Sequence, residues 1–226
     1  MRHKQLLALF LCFVMIFSSK IVSSQNDNIV KVKDVVSNVD KYTIESIVKD
    51  DEKQSVNIYY PVTEYENVNA KINEKIKEYM TNFENSNYIT DKKQLTISFD
   101  TFEFKEYNSF KFNIKSNVGI THDLDEVFTI VYKKDKIILI TDLKDNIVEK
   151  LYEECKSKLK SNEKIIEFSN DKWIDEGLVK DSNTFSNYIM SDNSIVLYFN
   201  PCTVAPYAAG IIQIEIPYDN LQLCLE

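Results

Sequence analysis

Hydrophobic and polar positions along this chain change period several times. Ile29–Val36, Tyr42–Lys49 and Ser55–Tyr60 are rich in Val, Ile, Tyr and Thr, as half-buried strands are, and Pro61 is expected to end the third. The period then becomes helical. Val68, Ile72, Ile76, Tyr79 and Phe83 fall on one face, while Lys71, Glu74, Lys75 and Glu78 lie mostly elsewhere. Ahead of them, Thr63-Glu64-Tyr65-Glu66 has the spacing of a capping box, in which hydroxyl and carboxylate satisfy opposite backbone donors. Alternation returns at Leu95–Phe104 and Ser109–Lys115. Leu95, Ile97 and Phe99 share one parity and Phe102 and Phe104 the other, which predicts a bulge near Asp100-Thr101. Glu106–Ser109 reads as the hairpin turn, and Val127–Tyr132 and Ile137–Thr141 follow as strands joined by a polar turn, Lys133–Lys136.

A second helix is predicted from about Asp145 to Lys160, with an apolar stripe of Val148, Leu151, Tyr152, Cys155 and Leu159. In that stripe Cys155 reads as a small buried core residue. Ser161–Asn183 is mixed, with a short helix or loop around Ile165–Phe168. Thr184–Met190 and Ser194–Phe199 read as strands around a Ser-Asp-Asn turn, Gly210–Ile216 as the last strand, and Tyr218–Leu223 as a closing turn of helix. Strands and helices alternate without a βαβ rhythm. The expected class is α+β, a largely antiparallel sheet with two main helices packed on it. A seam near residues 88–94 leaves room for two interlocked subdomains, 25–90 and 91–226.

The N-terminus sets the compartment. Arg2, His3 and Lys4 precede an apolar run, Leu6–Phe17, which is shorter than the about 20 residues of a membrane span. Val22-Ser23-Ser24 offers a cleavage site, so residues 1–24 read as a secretory signal peptide, with an uncleaved anchor as the alternative. The protein is expected to be secreted or associated with the cell envelope. The first 24 residues carry three Lys/Arg and no Asp/Glu, so their removal leaves 202 residues and moves the formal charge from −8 to −11. Such a charge argues against nucleic acid and anionic membranes as partners and is compatible with a cationic one. Arg2 is the only arginine, so the rest of the chain has no bidentate guanidinium clamp for carboxylate or phosphate.

The inventory of reactive residues is short. Past residue 24 the only histidine is His122 and the cysteines are Cys155, Cys202 and Cys224. A multi-histidine zinc site is therefore excluded, and no Cys pair has zinc-finger spacing. Three glycines, Gly119, Gly177 and Gly210, cannot build a phosphate loop, and no Gly-x-Ser-x-Gly elbow occurs. No metal or cofactor is expected. One catalytic arrangement stays open: His122 as base for Cys202, oriented by Asp123 or Asp125, as in a cysteine hydrolase. Cys202 could equally pair with Cys224.

Tyr198–Leu221 differs from the rest. It holds Pro201, Pro206 and Pro217, three of the four prolines, together with Gly210. Mechanically, the prolines shape a connection between two strands and Gly210 frees the backbone at its end. The order of residues also resembles a known family. Phe199, Pro201, Ala205, Pro206, Tyr207, Ala208 and Gly210, then Ile216, Pro217 and Tyr218, are similar to the signature of an exported domain of unknown function. That domain forms the extracellular region of RsiV-type anti-sigma factors, which are lysozyme receptors. It also occurs in the N-terminal region of PdaC-type peptidoglycan deacetylases. Ile138–Leu143 resembles its strand leading into an Asp-Leu pair, and Tyr59–Ile76 resembles the partner domain that usually precedes it. Two departures stand out. Asn117–His122 replaces a Gly-Gly-Ala-His-like turn, and Cys202 takes a position where an aromatic is common.

The resemblance implies a non-enzymatic, exported binding module whose partner is a cationic lysozyme-like muramidase or peptidoglycan. With only Met1–Gln5 ahead of the apolar run, neither a cytoplasmic sigma-binding segment nor a deacetylase domain is expected. Asn200, Cys202, Pro206 and Tyr207 of the connection, with His122 and Asp123 of the Asn117–Asp123 loop, are the candidate partner-binding residues. Tyr207 is the candidate aromatic anchor, against the alternative of a core tyrosine packing the turn. The competing readings are the Cys202/His122 hydrolase and an envelope structural protein with no discrete ligand.

Overall fold

The computed structural model describes residues 30–35, 41–86, 92–118, 123–168 and 171–223. Residues 1–24, the expected signal segment, lie outside the described residues, as do His122, most of the loop around it, part of the 88–94 seam and Cys224. A large sheet takes seven strands in chain order: β1 (Val30–Val35), β2 (Tyr42–Asp50), β3 (Gln54–Thr63), β4 (Lys93–Phe104), β5 (Tyr107–Asn117), β6 (Leu124–Lys133) and β7 (Lys136–Ile137). All neighbours are antiparallel except β3 and β4, which run parallel because helix α1 (Glu66–Asn85) crosses between them. This parallel pairing, Gln54↔Lys93 to Ile58↔Ile97, carries one sheet across the 87–91 segment.

Helix α1 buries the predicted stripe. Val68, Ile72, Ile76 and Phe83 pack on the sheet face made by Ile58, Leu95, Ile97, Phe110, Phe112 and their neighbours. Its ends are built differently from the expectation. The capping box does not form: the Thr63 hydroxyl accepts from the Tyr65 amide at 3.0 Å, and Asn69 brackets the Thr63 backbone, accepting from its N–H and donating to its C=O, both at 2.8 Å. At the C-terminus Lys93, itself buried, donates to the carbonyls of Phe83 at 3.0 Å and Glu84 at 3.3 Å. A cation there satisfies the orphan carbonyls and the negative end of the helix together. Strand β3 also runs past Pro61 to Thr63. Beyond Ile58 no residue of β4 lies beside it, so a residue without an N–H is tolerated there.

A second sheet, ordered β10–β9–β8, joins β8 (Tyr188–Met190), β9 (Ser194–Phe199) and β10 (Ile212–Pro217), all antiparallel. Every residue of β9 is buried. Ile195, Leu197 and Phe199 face the core that helix α2 (Ile147–Lys160) closes with Ile147, Leu151, Cys155 and Leu159. Val196 and Tyr198 face the large sheet, against Val127 and Phe102. The order of layers is α1, large sheet, small sheet, α2, with short helices α3 (Glu163–Phe168), α4 (Asp171–Gly177) and α5 (Tyr218–Leu221) around the second core. The expected α+β class holds, with the strands divided between two sheets, each carrying one of the two main helices. Among the described residues no helix is both long and apolar enough to cross a membrane.

This layering explains the parity change in β4. The β4–β5 ladder is unbroken from Gln94↔Asn117 to Phe104↔Tyr107, so the bulge expected at Asp100-Thr101 is absent. Leu95 and Ile97 pack under α1 on one face, whereas Phe102 packs against the small sheet on the other. The covered face changes along the strand while the strand itself stays regular. The hairpin turn is correspondingly tighter than expected, Lys105-Glu106, with β5 starting at Tyr107.

Two other expected strands are shortened for a local reason. Asp142 accepts from the Leu139 amide at 3.0 Å, turning Ile140–Asp142 into a 3-10 turn and ending β7 at Ile137. Asp181 accepts from the Asn183 amide at 2.7 Å and does the same to Ser182–Phe185 ahead of β8.

Candidate functional site: the proline-rich arch and the edge of β6

The connection from β9 to β10 is an arch packed from below. It leaves Phe199 through Asn200, whose side-chain amide accepts from the Val127 N–H at 2.8 Å and donates to the Val127 C=O at 3.1 Å. Asn200 thus completes the edge of β6 as another strand would. Pro201 and a left-handed Cys202 (φ 65°) then turn the chain, closed by Thr203 N–H to Asn200 C=O at 3.1 Å. Val204, Ala205 and Ala209 are buried in the α2 core. Tyr207–Ala209 forms a 3-10 turn, and Gly210 ends it at φ 67°, ψ −154°, a conformation that only glycine adopts readily. Gly177, at the end of α4, backs onto the arch so closely that a Cβ there would lie 1.7 Å from the Thr203 carbonyl oxygen.

The arch meets the β5–β6 loop. The half-buried Tyr207 donates its hydroxyl to the Asp123 carbonyl, and the Asp123 carboxylate accepts from the Asn117 side-chain amide at 2.8 Å. Burial raises the Tyr207 phenol above its ordinary range, and the charges of Asp125 and Asp123 raise it further. Asp125 Oδ1 is shielded from solvent with no hydrogen-bond partner among the described residues.

The candidate residues thus divide. Tyr207 and Asp123 are brought together, with Pro206 leading into the same turn. Tyr207 is neither a free exposed anchor nor a core tyrosine; it spans two segments. Asn200 is spent on the β6 backbone. Cys202 is an exposed free thiol, and Cys155 a buried one. His122, the base of the hydrolase reading, and Cys224 lie outside the described residues. Among the described residues no group of three His, Cys, Asp or Glu side chains could hold a metal ion.

A second feature was not visible in the sequence. Where the chain peels away from β6 after Ile138, a cleft of about 500 Å³ opens. Its floor is the outer edge of β6, its walls are α1 and the Ser182–Tyr188 segment, and its lip is the exposed Leu139. Asn187 lies at its base, donating to the Val127 C=O at 3.1 Å and accepting from the Thr129 N–H at 3.3 Å. The lining comes from widely separated stretches with no shared motif. The one sequence signal is an asparagine flanking each of β8 and β9.

Comparison with known proteins places this architecture. Residues 134–219, from the β6–β7 turn into α5, match the model of the family described as Protein of unknown function (DUF3298). A DUF3298 family protein from Pseudomonas aeruginosa PAO1 has a crystal structure similar to this chain, with a TM-score of 0.56 at 13% identity, covering 81% of this chain and 94% of that one. A member of the same family from Bacteroides fragilis NCTC 9343 gives a TM-score of 0.50 at 15% identity, covering 80% and 92%. At these identities the likeness is one of fold. No curated protein matches the chain.

Proposed function

We propose that the protein is a non-enzymatic, extracytoplasmic binding module, and that the arch and the β5–β6 loop together dock a cationic, lysozyme-like muramidase. The observation that carries this reading is the Tyr207–Asp123 bridge, which links the arch to the end of the other candidate segment. Asp123 is exposed there and Asp125 stands close by, so the surface is acidic, in a chain whose formal charge is −8 overall. Buried Val204, Ala205 and Ala209 fix the arch from below, so its side of the surface is largely pre-formed. Charge of this kind contributes chiefly to the encounter rate and to partner choice. The resemblance to the extracellular region of RsiV-type anti-sigma factors names the class of partner, and peptidoglycan fragments are the comparison ligand. The test is direct binding of the purified protein to a c-type lysozyme. Saturable binding that outlasts physiological salt supports the reading, and binding matched by an unrelated acidic protein overturns it.

A further inference from the structure

The cleft beside β6 has a backbone pattern that the docking surface does not use. Along the outer edge of β6, Val127 is paired by Asn200 and Asn187, and the Thr129 N–H by Asn187. At the other end the Val131 C=O accepts from the Ile138 N–H at 2.8 Å. The ladder to β7 then covers only Tyr132↔Ile137 and Lys133↔Lys136, and the Ile138 C=O is taken by the Tyr188 hydroxyl at 2.9 Å. That leaves the Thr129 C=O and the Val131 N–H without a partner among the described residues, one on either side of Ile130, on the floor of the cleft. In a parallel ladder a single residue fills such a gap: its own N–H reaches the carbonyl before the facing residue and its C=O the amide after it.

The chemistry around this gap is selective. The chain has 35 Asp and Glu against 27 Lys and Arg, yet the cleft is lined by Lys71 and Lys75 and by no carboxylate. The two lysines stand one turn apart on α1, in exposed i,i+3 pairs with Glu74 and Glu78 at 3.0 and 2.8 Å. Pairs of this kind are weak and yield to a better-placed anion. Tyr79, one turn beyond Lys75 along α1, also lines the cleft and stacks on Phe128 with ring centroids 5.7 Å apart. The volume is that of an ordinary small-ligand site.

We propose that this cleft binds a short, extended acidic peptide, which adds to β6 in parallel through the Thr129 C=O and Val131 N–H and places a carboxylate at Lys71 and Lys75. Backbone pairing of this kind tolerates sequence, so a generic probe is sufficient. The probe is a fluorescein-labelled pentapeptide, Glu-Val-Glu-Val-Glu, read by anisotropy with the purified protein. It is expected to saturate, to bind at least tenfold more weakly to the surface variant Lys71→Glu/Lys75→Glu, and to lose binding when its backbone amides are N-methylated. The Val131 amide is expected to exchange more slowly with solvent in the complex. Absence of saturable binding at millimolar protein overturns the proposal. So does equal binding by the lysine variant or the N-methylated probe, or displacement of the peptide by a neutral N-acetylglucosamine tetramer. Because the probe does not depend on the arch, this result is independent of lysozyme binding.

Discussion

Single residues carry more of this fold than their number suggests, and the clearest is Gly177. Its hydrogen faces the Thr203 carbonyl oxygen, where a Cβ would stand at 1.7 Å. Gly177→Ala must push α4 from the arch, and is expected to cost roughly 1–3 kcal/mol, read as a lower urea midpoint. Cys155 is the second case. Burial pushes its thiol from 9.0 up to about 12. A group held protonated by the fold adds stability that is complete below the unfolded value and is lost as pH climbs toward the folded one. Unfolding free energy should therefore begin to fall near pH 9. In Cys155→Ala that fall should start later, near pH 10, where Tyr60 and Tyr198, both lifted by burial to about 12, take over. Identical pH profiles for the two proteins would contradict this assignment. The buried role of Cys155 was legible because its helical stripe was regular. The role of Asn200 was not, because a polar residue beside a proline reads as surface, whereas here it replaces a strand.

At the scale of elements, period and parity read well and ends read poorly. Helix α1, helix α2 and strand β9 fall where the apolar pattern puts them, since each buries a face long enough to impose its period. Strands β7 and β8 are misread because the nearby carboxylates of Asp142 and Asp181 bend the backbone, and the ends of α1 because side chains outside the expected capping box decide them. The start of α1 is held by Asn69, on the Thr63 backbone, and by Asp135, which accepts from the Asn67 amide at 2.8 Å, rather than by Glu66, and its end by Lys93 from the next strand. Lys93→Met keeps the stem but removes the donors to Phe83 and Glu84, and should cost about 2 kcal/mol in a denaturant titration with an unchanged slope. The parity change in β4 had a tertiary cause. One strand lies under a helix for half its length and over a second sheet for the other half, which no local window contains.

At the scale of the molecule, two sheets meet through hydroxyls and amides as well as apolar contact. The outer amides of β8 donate to Thr129 Oγ1 at 2.8 Å and Ser109 Oγ at 3.3 Å, while Asn187 and Asn200 close the edge of β6. This joint fixes the arch relative to β6 and to Asp123 just ahead of it, on which the proposed function rests. The class of fold could be read from the chain. The surface was half legible, since the arch carries the signature and the Asn117–Asp123 loop was a candidate despite departing from it, and only folding brings Tyr207 onto Asp123.

The most direct measurement is calorimetric titration of the purified protein with a c-type lysozyme at low and near-physiological salt, beside Tyr207→Ala, Asp123→Lys and an unrelated protein of similar negative charge. Thermal unfolding would verify that both variants fold. The account predicts one saturable site that survives physiological salt and weakens at least tenfold in each folded variant. Binding that vanishes with salt in step with the acidic control, or that ignores both substitutions, would contradict it.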